Sequence, residues 1–515
     1  MAFGSLLILC DRMKLTTDMD KDKILIRGVN WIGDAVMTLP TIETIKKGSN
    51  NASVSVLTRP SLSAIYDGSP FVDRVMNYNR GNKILTAMKM AWELRKEGFS
   101  KAYLLQNAFD AAFISFMAGV PERIGYERDG RGWLLTSKIP YSGEDRIIHH
   151  IEYFLNIAAF EGMKIVNRNP WIYLSLEERI KARQRLAPLK RPILGISPGA
   201  AFGETKRWLP ERFIQVAQWF VLKTGGAVVL FGNDLHDRGL YETDKKLYLP
   251  LPNKLSVVGQ TTLRELIALI SECDLFLTND SGPMHLARAV LTPTVSLFAS
   301  TDPKLTGYRE AGFKTIRSNV ACSPCFKRHC PKGDLRCISS ITAEEVFFEL
   351  SDLIPKRKAI FFDRDGTLCH DANYLRRWED FRPFKELPEI LRLKGAGYML
   401  IGVTNQSGIA RAIVDEDFVK EVNRYFIDRH SFDDFLYCPH HPEDHCPCRK
   451  PSPGMLLTAR AKYGIDLKQS FVVGDKESDI LCAEAVGAQG ILLGKEGSGK
   501  DRASNLKEAV DLILS

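Results

Sequence analysis

Short apolar runs recur along this chain. Each is closed by Gly, Asn, Asp or Ser, and each is followed by a stretch with apolar residues at helical spacing. Residues 23–28 read as a strand, Asn30 to Asp34 as a tight loop, and 35–47 as a helix that Pro40 kinks or restarts. Residues 53–57 and 102–105 are the next strands, the latter ending at Gln106-Asn107. The pattern restarts at 192–197, which runs into the small-residue loop 198–203, with a helix from about Pro210. Strands at 227–231, closed by Gly232-Asn233-Asp234, and at 275–279 follow; there Asp280-Ser281-Gly282 turns into a helix. A third series has strands at 359–362, 398–403 and 471–473. Strands apolar on both faces that alternate with helices predict α/β units on doubly wound parallel sheets. The expected division is an extension 1–20, Rossmann-like segments 21–185 and 190–345, and a third unit 356–515, with the Pro355-containing stretch 351–358 as its boundary.

Composition changes this picture little. A length of 515 residues fits about three domains. The net charge of +8 without a dense Lys/Arg stripe argues against a nucleic-acid binder and favours phosphorylated ligands or an anionic membrane surface. No apolar run approaches the roughly 20 residues of a membrane span. The apolar patch 3–10 lacks a basic flank and a small-residue cleavage site, so a signal peptide is not expected; 1–20 reads as a loose extension, and Met13 is an alternative start. Eleven cysteines, mostly in two clusters, point to metal or reduced thiols rather than disulfides.

In the first segment, Asp34 opens a helix behind a Gly loop, as a first-turn acid on the helix dipole or as a functional group. The loop Arg123 to Gly132 is basic and Gly-rich, fit for an anionic acceptor or simply solvated. In the second, Lys206 follows a small-residue loop suited to a pyrophosphate, and the Asp280-Ser281-Gly282 turn presents N–H groups and a hydroxyl to an anion. His285, one turn into that helix, is either a ligand or a packed helix residue. The motifs Asn-Trp-Ile-Gly-Asp-Ala-Val-Met, Pro-Gly-Ala-Ala-Phe-Gly with Lys-Arg-Trp, Asn-Asp-Ser-Gly-Pro-Met-His-Leu-Ala and Ser-Thr-Asp-Pro occur in order over about 23–345. They resemble the glycosyltransferase family 9 heptosyltransferases, most closely the heptosyltransferase II branch. The resemblance implies a GT-B pair of Rossmann-like halves. The first would bind a lipid-linked Kdo/heptose core acceptor, and the second ADP-heptose through Lys206, Asp280, Ser281, Gly282, Met284 and His285. It implies Asp34 as general base, inversion at the donor carbon and no metal for the transfer. An acid near Asp234 is a candidate ribose ligand. Cys322, Cys325, Cys330 and Cys337 also fit this branch, as a zinc set or as reduced structural thiols.

The third segment carries Asp363-Arg-Asp365-Gly-Thr at a strand end, then Thr404 to Ser407, Lys450, and Gly-Asp475-Lys476 at further strand ends. A lone Asp-x-Asp is often a surface turn or a calcium loop; four ordered motifs on one sheet edge point to phosphomonoester chemistry. They resemble the haloacid-dehalogenase-type phosphatases, on the branch of heptose bisphosphate 7-phosphatases and histidinol-phosphate phosphatases. The resemblance implies Asp363 as nucleophile and Asp365 as acid and base. It implies Mg2+ on Asp363, Asp475 and the main-chain carbonyl of Asp365, and substrate contacts from Asp371, Tyr374, Thr404, Asn405, Gln406, Ser407, Arg449, Lys450 and Lys476. Cys438-x-His440 with Cys446-x-Cys448 offers three thiolates and an imidazole, the donors of a closed structural zinc site that would pin the loop carrying Arg449 and Lys450. The short loop His441 to His445 is more like that of the histidinol-phosphate relatives. The expected whole is a cytoplasmic bifunctional enzyme, in peripheral contact with the inner membrane. It would transfer heptose to lipopolysaccharide core and remove the 7-phosphate of heptose 1,7-bisphosphate. Alternatives are a histidinol-phosphate-type phosphatase, or a non-catalytic sugar-binding module that tethers the phosphatase.

Overall fold

The computed structural model describes residues 22–49, 52–79, 83–232, 251, 253–494 and 501–515. The extension 1–20, with Met13, and the candidate Asp234 lie outside the described residues. Three six-stranded parallel sheets follow one another along the chain. The first contains β1 (Lys23–Arg27), β2 (Ser53–Thr58), β3 (Arg74–Asn77), β4 (Lys101–Leu104), β5 (Glu122–Tyr126) and β6 (Ser137–Ile139), in the order 3-2-1-4-5-6. The second contains β7 (Ile193–Ser197), β8 (Ala227–Leu230), β9 (Lys254–Ser256), β10 (Leu275–Asn279), β11 (Thr294–Phe298) and β12 (Phe313–Arg317), in the order 12-11-10-7-8-9. The third contains β13 (Lys358–Phe362), β14 (Tyr398–Asn405), β15 (Asp434–Cys438), β16 (Phe471–Gly474), β17 (Gln489–Leu493) and β18 (Arg502–Ala503), in the order 15-14-13-16-17-18. Each sheet has its reversal beside a central strand: β1, β7 or β13. That opens a crevice at the strands' C-terminal edge. Ile360, Phe361 and Phe362 of β13 are fully buried, as helices on both faces of a parallel sheet require.

Local sequence explains the breaks. Pro40 sits in the first turn of the helix Leu39–Gly48, directly after the helix Ile32–Met37. It therefore restarts the chain rather than kinks it, because its missing N–H is an orphan there in any case. β14 runs two residues past the expected end and takes Thr404 and Asn405 into the strand, where they pair with Tyr437 and Cys438. The helix Leu176–Leu186 opens on a Ser175/Glu178 capping box and packs on the helix Leu263–Glu272 of the second sheet. Its amphipathic pattern suits either neighbour, so the sequence alone had grouped it with 21–185.

The third unit docks on both halves before it. Tyr173 Oη donates to the His445 carbonyl (2.9 Å), and Lys47 lies 3.7 Å from Asp444. Arg183 donates to the carbonyls of Glu484 (3.0 Å) and Ala485 (3.2 Å), and Arg460 to that of Leu291 (2.7 Å). Trp171 and Leu291 pack against the core around Phe361 and Leu456. At the centre is Glu272, 3% exposed, which accepts from Lys468 at 2.8 Å and from Arg183 at 3.1 Å. Burial pushes its carboxyl up, but Lys468 and Arg183 outweigh that and hold it at about 2.

Candidate active sites

In the third unit, β13 ends at Phe362 and delivers Asp363, 5% exposed, to the crevice. Gly366 takes φ +93°, and a Cβ there would lie 2.3 Å from Asp475 Oδ2, so only glycine lets the β13 and β16 loops meet. Lys450 Nζ is buried 2.8 Å from Asp363, 2.6 Å from Asp479 and 2.7 Å from the Val403 carbonyl. Donor oxygens of Asp363, Asp475 and Asp479 all lie within 4.8 Å of one another. Three carboxylates crowd one ammonium. Burial, opposed by Lys450 and reinforced by Asp479, pushes Asp363 up to about 6. An excess of negative charge among hard oxygen donors fits a divalent cation such as magnesium.

The carboxylate of Asp365 turns away from this cluster. Arg364 grips it at 3.1 and 3.0 Å, and Gln406 Nε2 donates to it at 2.7 Å. Asp479, absent from the expected ligands, stands in the first turn of the helix Glu477–Val486 that follows Asp475; an acid so soon after the motif is the available signal. Arg364 was also passed over, because a charged residue inside a motif reads as solvated until burial is known; it is 1% exposed.

The expected substrate contacts divide. Thr404 is buried and accepts from Gln406 at 2.8 Å. Asn405 spends its amide on the backbone of Lys450, donating to its carbonyl (3.1 Å) and accepting from its N–H (3.0 Å). It therefore positions Lys450 instead of facing the crevice. Ser407 is buried at the start of the short helix Ser407–Ala410, and Tyr374 lies against Gly408. Asp371 and Lys476 pair at 3.3 Å on the rim. Among the described residues Arg449 Nη1 is buried without a hydrogen-bond partner, a donor suited to an anion. The next loop holds Cys438, His440, Cys446 and Cys448, with Sγ–Sγ distances of 3.3 and 3.4 Å and His440 Nδ1 at 3.5 and 3.2 Å from Cys438 and Cys448. Tetrahedral zinc at about 2.3 Å from sulfur sets edges near 3.8 Å, so the donors close on zinc with a small expansion.

In the first two sheets the two Gly loops face each other. The helices Ile32–Met37 and Gly282–Ala289 pack together, and a Cβ on Gly33 would lie 2.6 Å from the His285 ring. Asp34 is partly exposed in its first turn, with Oδ1 3.9 Å from His150 Nδ1. Lys206 pairs with Asp280 at 2.5 Å, and Thr301 donates to the same carboxylate. Asp280 therefore holds Lys206 in place rather than turning outward. Ser281 Oγ bonds locally to Thr278 and the Asn279 carbonyl. Met284 and His285 are buried; His285 Nδ1 shares a 2.8 Å hydrogen bond with Tyr308, and burial pushes the imidazole down to about 4. This is the packed reading of His285, wedged between both halves. Arg131, expected in a solvated or acceptor-binding loop, is fully buried and tied to the Gln106 and Tyr126 carbonyls and to Asn107. Cys322, Cys325, Cys330 and Cys337 do not form a compact donor cluster among the described residues.

Residues 87–335 match the family model of glycosyltransferase family 9 (heptosyltransferase), and 447–515 match a HAD-hydrolase-like model. The chain is 27% identical to lipopolysaccharide heptosyltransferase 2 of Escherichia coli K12, over 65% of this chain and all of that one. A solved E. coli ADP-heptose lipopolysaccharide heptosyltransferase II is 25% identical with TM-score 0.56, over 64% of this chain and 98% of that chain. The final part is 40% identical to D-glycero-β-D-manno-heptose-1,7-bisphosphate 7-phosphatase of Pasteurella multocida, over 30% of this chain and 93% of that protein. The chain thus belongs, through its last third, to the heptose bisphosphate phosphatases of the HAD-like hydrolases, and the part before it matches the glycosyltransferase family 9 (heptosyltransferase) model and resembles lipopolysaccharide heptosyltransferase 2.

Proposed function

We propose that this chain is a bifunctional enzyme of lipopolysaccharide inner-core synthesis, which hydrolyses the 7-phosphate of heptose 1,7-bisphosphate and transfers heptose from ADP-heptose to a lipid-linked core acceptor. The observation that carries it is the meeting of two sets of groups, Asp363, Asp475 and Lys450 in one and Asp34 and Lys206 in the other, each at a sheet's C-terminal edge, in one chain whose two parts resemble enzymes of heptose chemistry. The likeness to heptose bisphosphate phosphatases supports that substrate over histidinol phosphate. The product of the hydrolysis is a sugar 1-phosphate and the donor of the transfer is a nucleotide sugar, so a nucleotidyl transfer must stand between them.

In the phosphatase, Asp363 attacks phosphorus, forming an aspartyl phosphate as the P–O bond to C7 breaks. Asp365 protonates the departing alkoxide, then takes a proton from the water that cleaves the aspartyl phosphate. Although burial pushes Asp365 up, Arg364 and Gln406 hold its carboxyl below the usual range. In this arrangement it is a base; to act as the acid it must turn from Arg364 toward the leaving oxygen. Thr404, Lys450 and Arg449 balance charge on the transferring phosphoryl. A divalent cation, taken as Mg2+, on Asp363, Asp475, Asp479 and the Asp365 carbonyl would supply charge neutralisation of the phosphate dianion. Zn2+ on Cys438, His440, Cys446 and Cys448 would fix the chain leading to Lys450.

In the transferase, Asp34 takes the proton of the acceptor hydroxyl as that oxygen attacks the donor's anomeric carbon. The bond to ADP breaks with inversion, and Lys206 neutralises the leaving diphosphate. Among the described residues no helix is long and apolar enough to cross a membrane. A lipid-linked acceptor would place the enzyme at the cytoplasmic face of the inner membrane.

The test is turnover by the full chain. Phosphate release from heptose 1,7-bisphosphate should far exceed that from histidinol phosphate and vanish in Asp363→Asn. Heptosyl transfer should persist in that variant and vanish in Asp34→Ala. Preference for histidinol phosphate refutes the phosphatase assignment, and transfer that survives Asp34→Ala refutes the base.

A further inference from the structure

The helix Lys83–Glu97 is apolar on two opposite sides. Ala87, Met90, Ala91 and Leu94 are buried in the core under the first sheet, as an amphipathic helix should have them. Leu85, Met88 and Trp92 form a second stripe at i, i+3 and i+7, and all three are exposed, Trp92 by 60%. This helix packs on the helix Phe109–Met117, which itself leaves Phe109, Phe116 and Met117 exposed. Trp133, 65% exposed, lies against that second helix, its ring centroid 6.2 Å from Phe109 and 6.1 Å from Phe116. Single exposed apolar residues need no explanation, but two exposed apolar groups on helices that pack together mark an interaction site.

Two observations select the partner. The apolar face is edged by cations: Lys89, Arg95 and Lys96 are exposed on the first helix, with Lys96 Nζ 3.1 Å from the Trp92 ring centroid, and Arg123 lies over Phe116 at 5.4 Å. Aromatic rings with Lys and Arg at their edge suit the headgroup region of an anionic bilayer. A chain of contacts also links this face to the candidate acceptor site. Trp133 rides on the loop pinned by buried Arg131 to Asn107, Asn107 accepts from Tyr153 at 3.2 Å, and Tyr153 shares the helix His150–Phe160 with His150, beside Asp34. A bilayer on this face would present a lipid-linked acceptor at the rim of the Asp34 cleft.

We infer that the outer faces of the helices Lys83–Glu97 and Phe109–Met117, with Trp133, are a docking surface for an anionic membrane. This rests on the lipid-linked acceptor proposed above. The test uses the full chain and its Trp92→Ser/Phe116→Ser/Trp133→Ser variant, none of these residues being in either catalytic set. Each is sedimented with vesicles of phosphatidylcholine alone or mixed with phosphatidylglycerol, and transfer is measured to vesicle-embedded and to delipidated acceptor. Wild type should partition onto the anionic vesicles, and the variant about tenfold less or weaker still. The variant should lose transfer to embedded acceptor and keep it on the delipidated one. Equal vesicle binding by both proteins overturns the proposal. So does a wild-type dimer that the variant dissolves without any change in vesicle binding, because the face then belongs to a second copy. Face-dependent vesicle binding with no transfer to either acceptor upholds the docking surface and refutes the acceptor reading.

Discussion

Replacing Glu272 with alanine should undock the phosphatase from the transferase. The carboxylate is buried, and it ties Lys468 of the third unit to Arg183 and, at 4.0 Å, to Arg191. Its removal leaves half-buried cations facing one another; losing one partner of a buried pair costs ~3–5 kcal/mol. The proton affinity gives the same scale. A carboxyl held at about 2 against 4.5 in the unfolded chain, at ~1.4 kcal/mol per tenfold change, is worth about 3 kcal/mol. That stability is complete above pH 4.5 and is lost as pH falls toward 2. For a unit of this size, where 1 kcal/mol moves the midpoint by roughly 2–4 °C, the phosphatase transition should fall by about 6–14 °C. Calorimetry of the full chain should show one broadened event in wild type and two separated events in Glu272→Ala. A Glu272→Leu/Lys468→Met pair, apolar on both sides, should recover most of the loss. A single unshifted transition in Glu272→Ala would refute the reasoning.

Other outcomes follow from single contacts. Asn405→Ala removes both hydrogen bonds that hold the Lys450 backbone, and should cut phosphatase kcat by about 10- to 100-fold with a smaller change in KM, as a positioning residue does and a substrate contact does not. Stripping the proposed zinc with a chelator, or Cys446→Ser, should free the loop before Lys450; loss of phosphate release and a lower midpoint for the third unit, with transfer to delipidated acceptor retained, would be seen by coupled assay and calorimetry. His285 sits at about 4 in the folded chain against 6.5, so the unfolded chain binds the proton first. The stability tied to its neutral form is complete above pH 6.5 and is lost as pH falls through about 4; His285→Gln should flatten the pH dependence of unfolding in that window.

The alternation of apolar runs with helices determined three parallel α/β sheets. The Asp-x-Asp pair and the Cys/His doublets were legible because each needs only fixed spacing within one or two local segments. So were Thr404, Lys450 and Asp475, since a parallel sheet brings every strand's C-terminal end to one edge. What the sequence left open depended on contacts between distant segments. Asp479 joins the acidic cluster because Gly474 leaves room for its carboxylate; a Cβ there would lie 2.3 Å from Asp479 Oδ2. Asn405 and Gln406 sit in one motif, yet one grips a backbone and the other a carboxylate, according to which loop each strand end meets. His285, ambiguous on its helix, became a packed wedge once the two halves faced each other. The docking of the phosphatase through Glu272, Arg183 and Lys468 had no local signal, since an isolated charge on an amphipathic helix reads as solvated until a second surface removes its water.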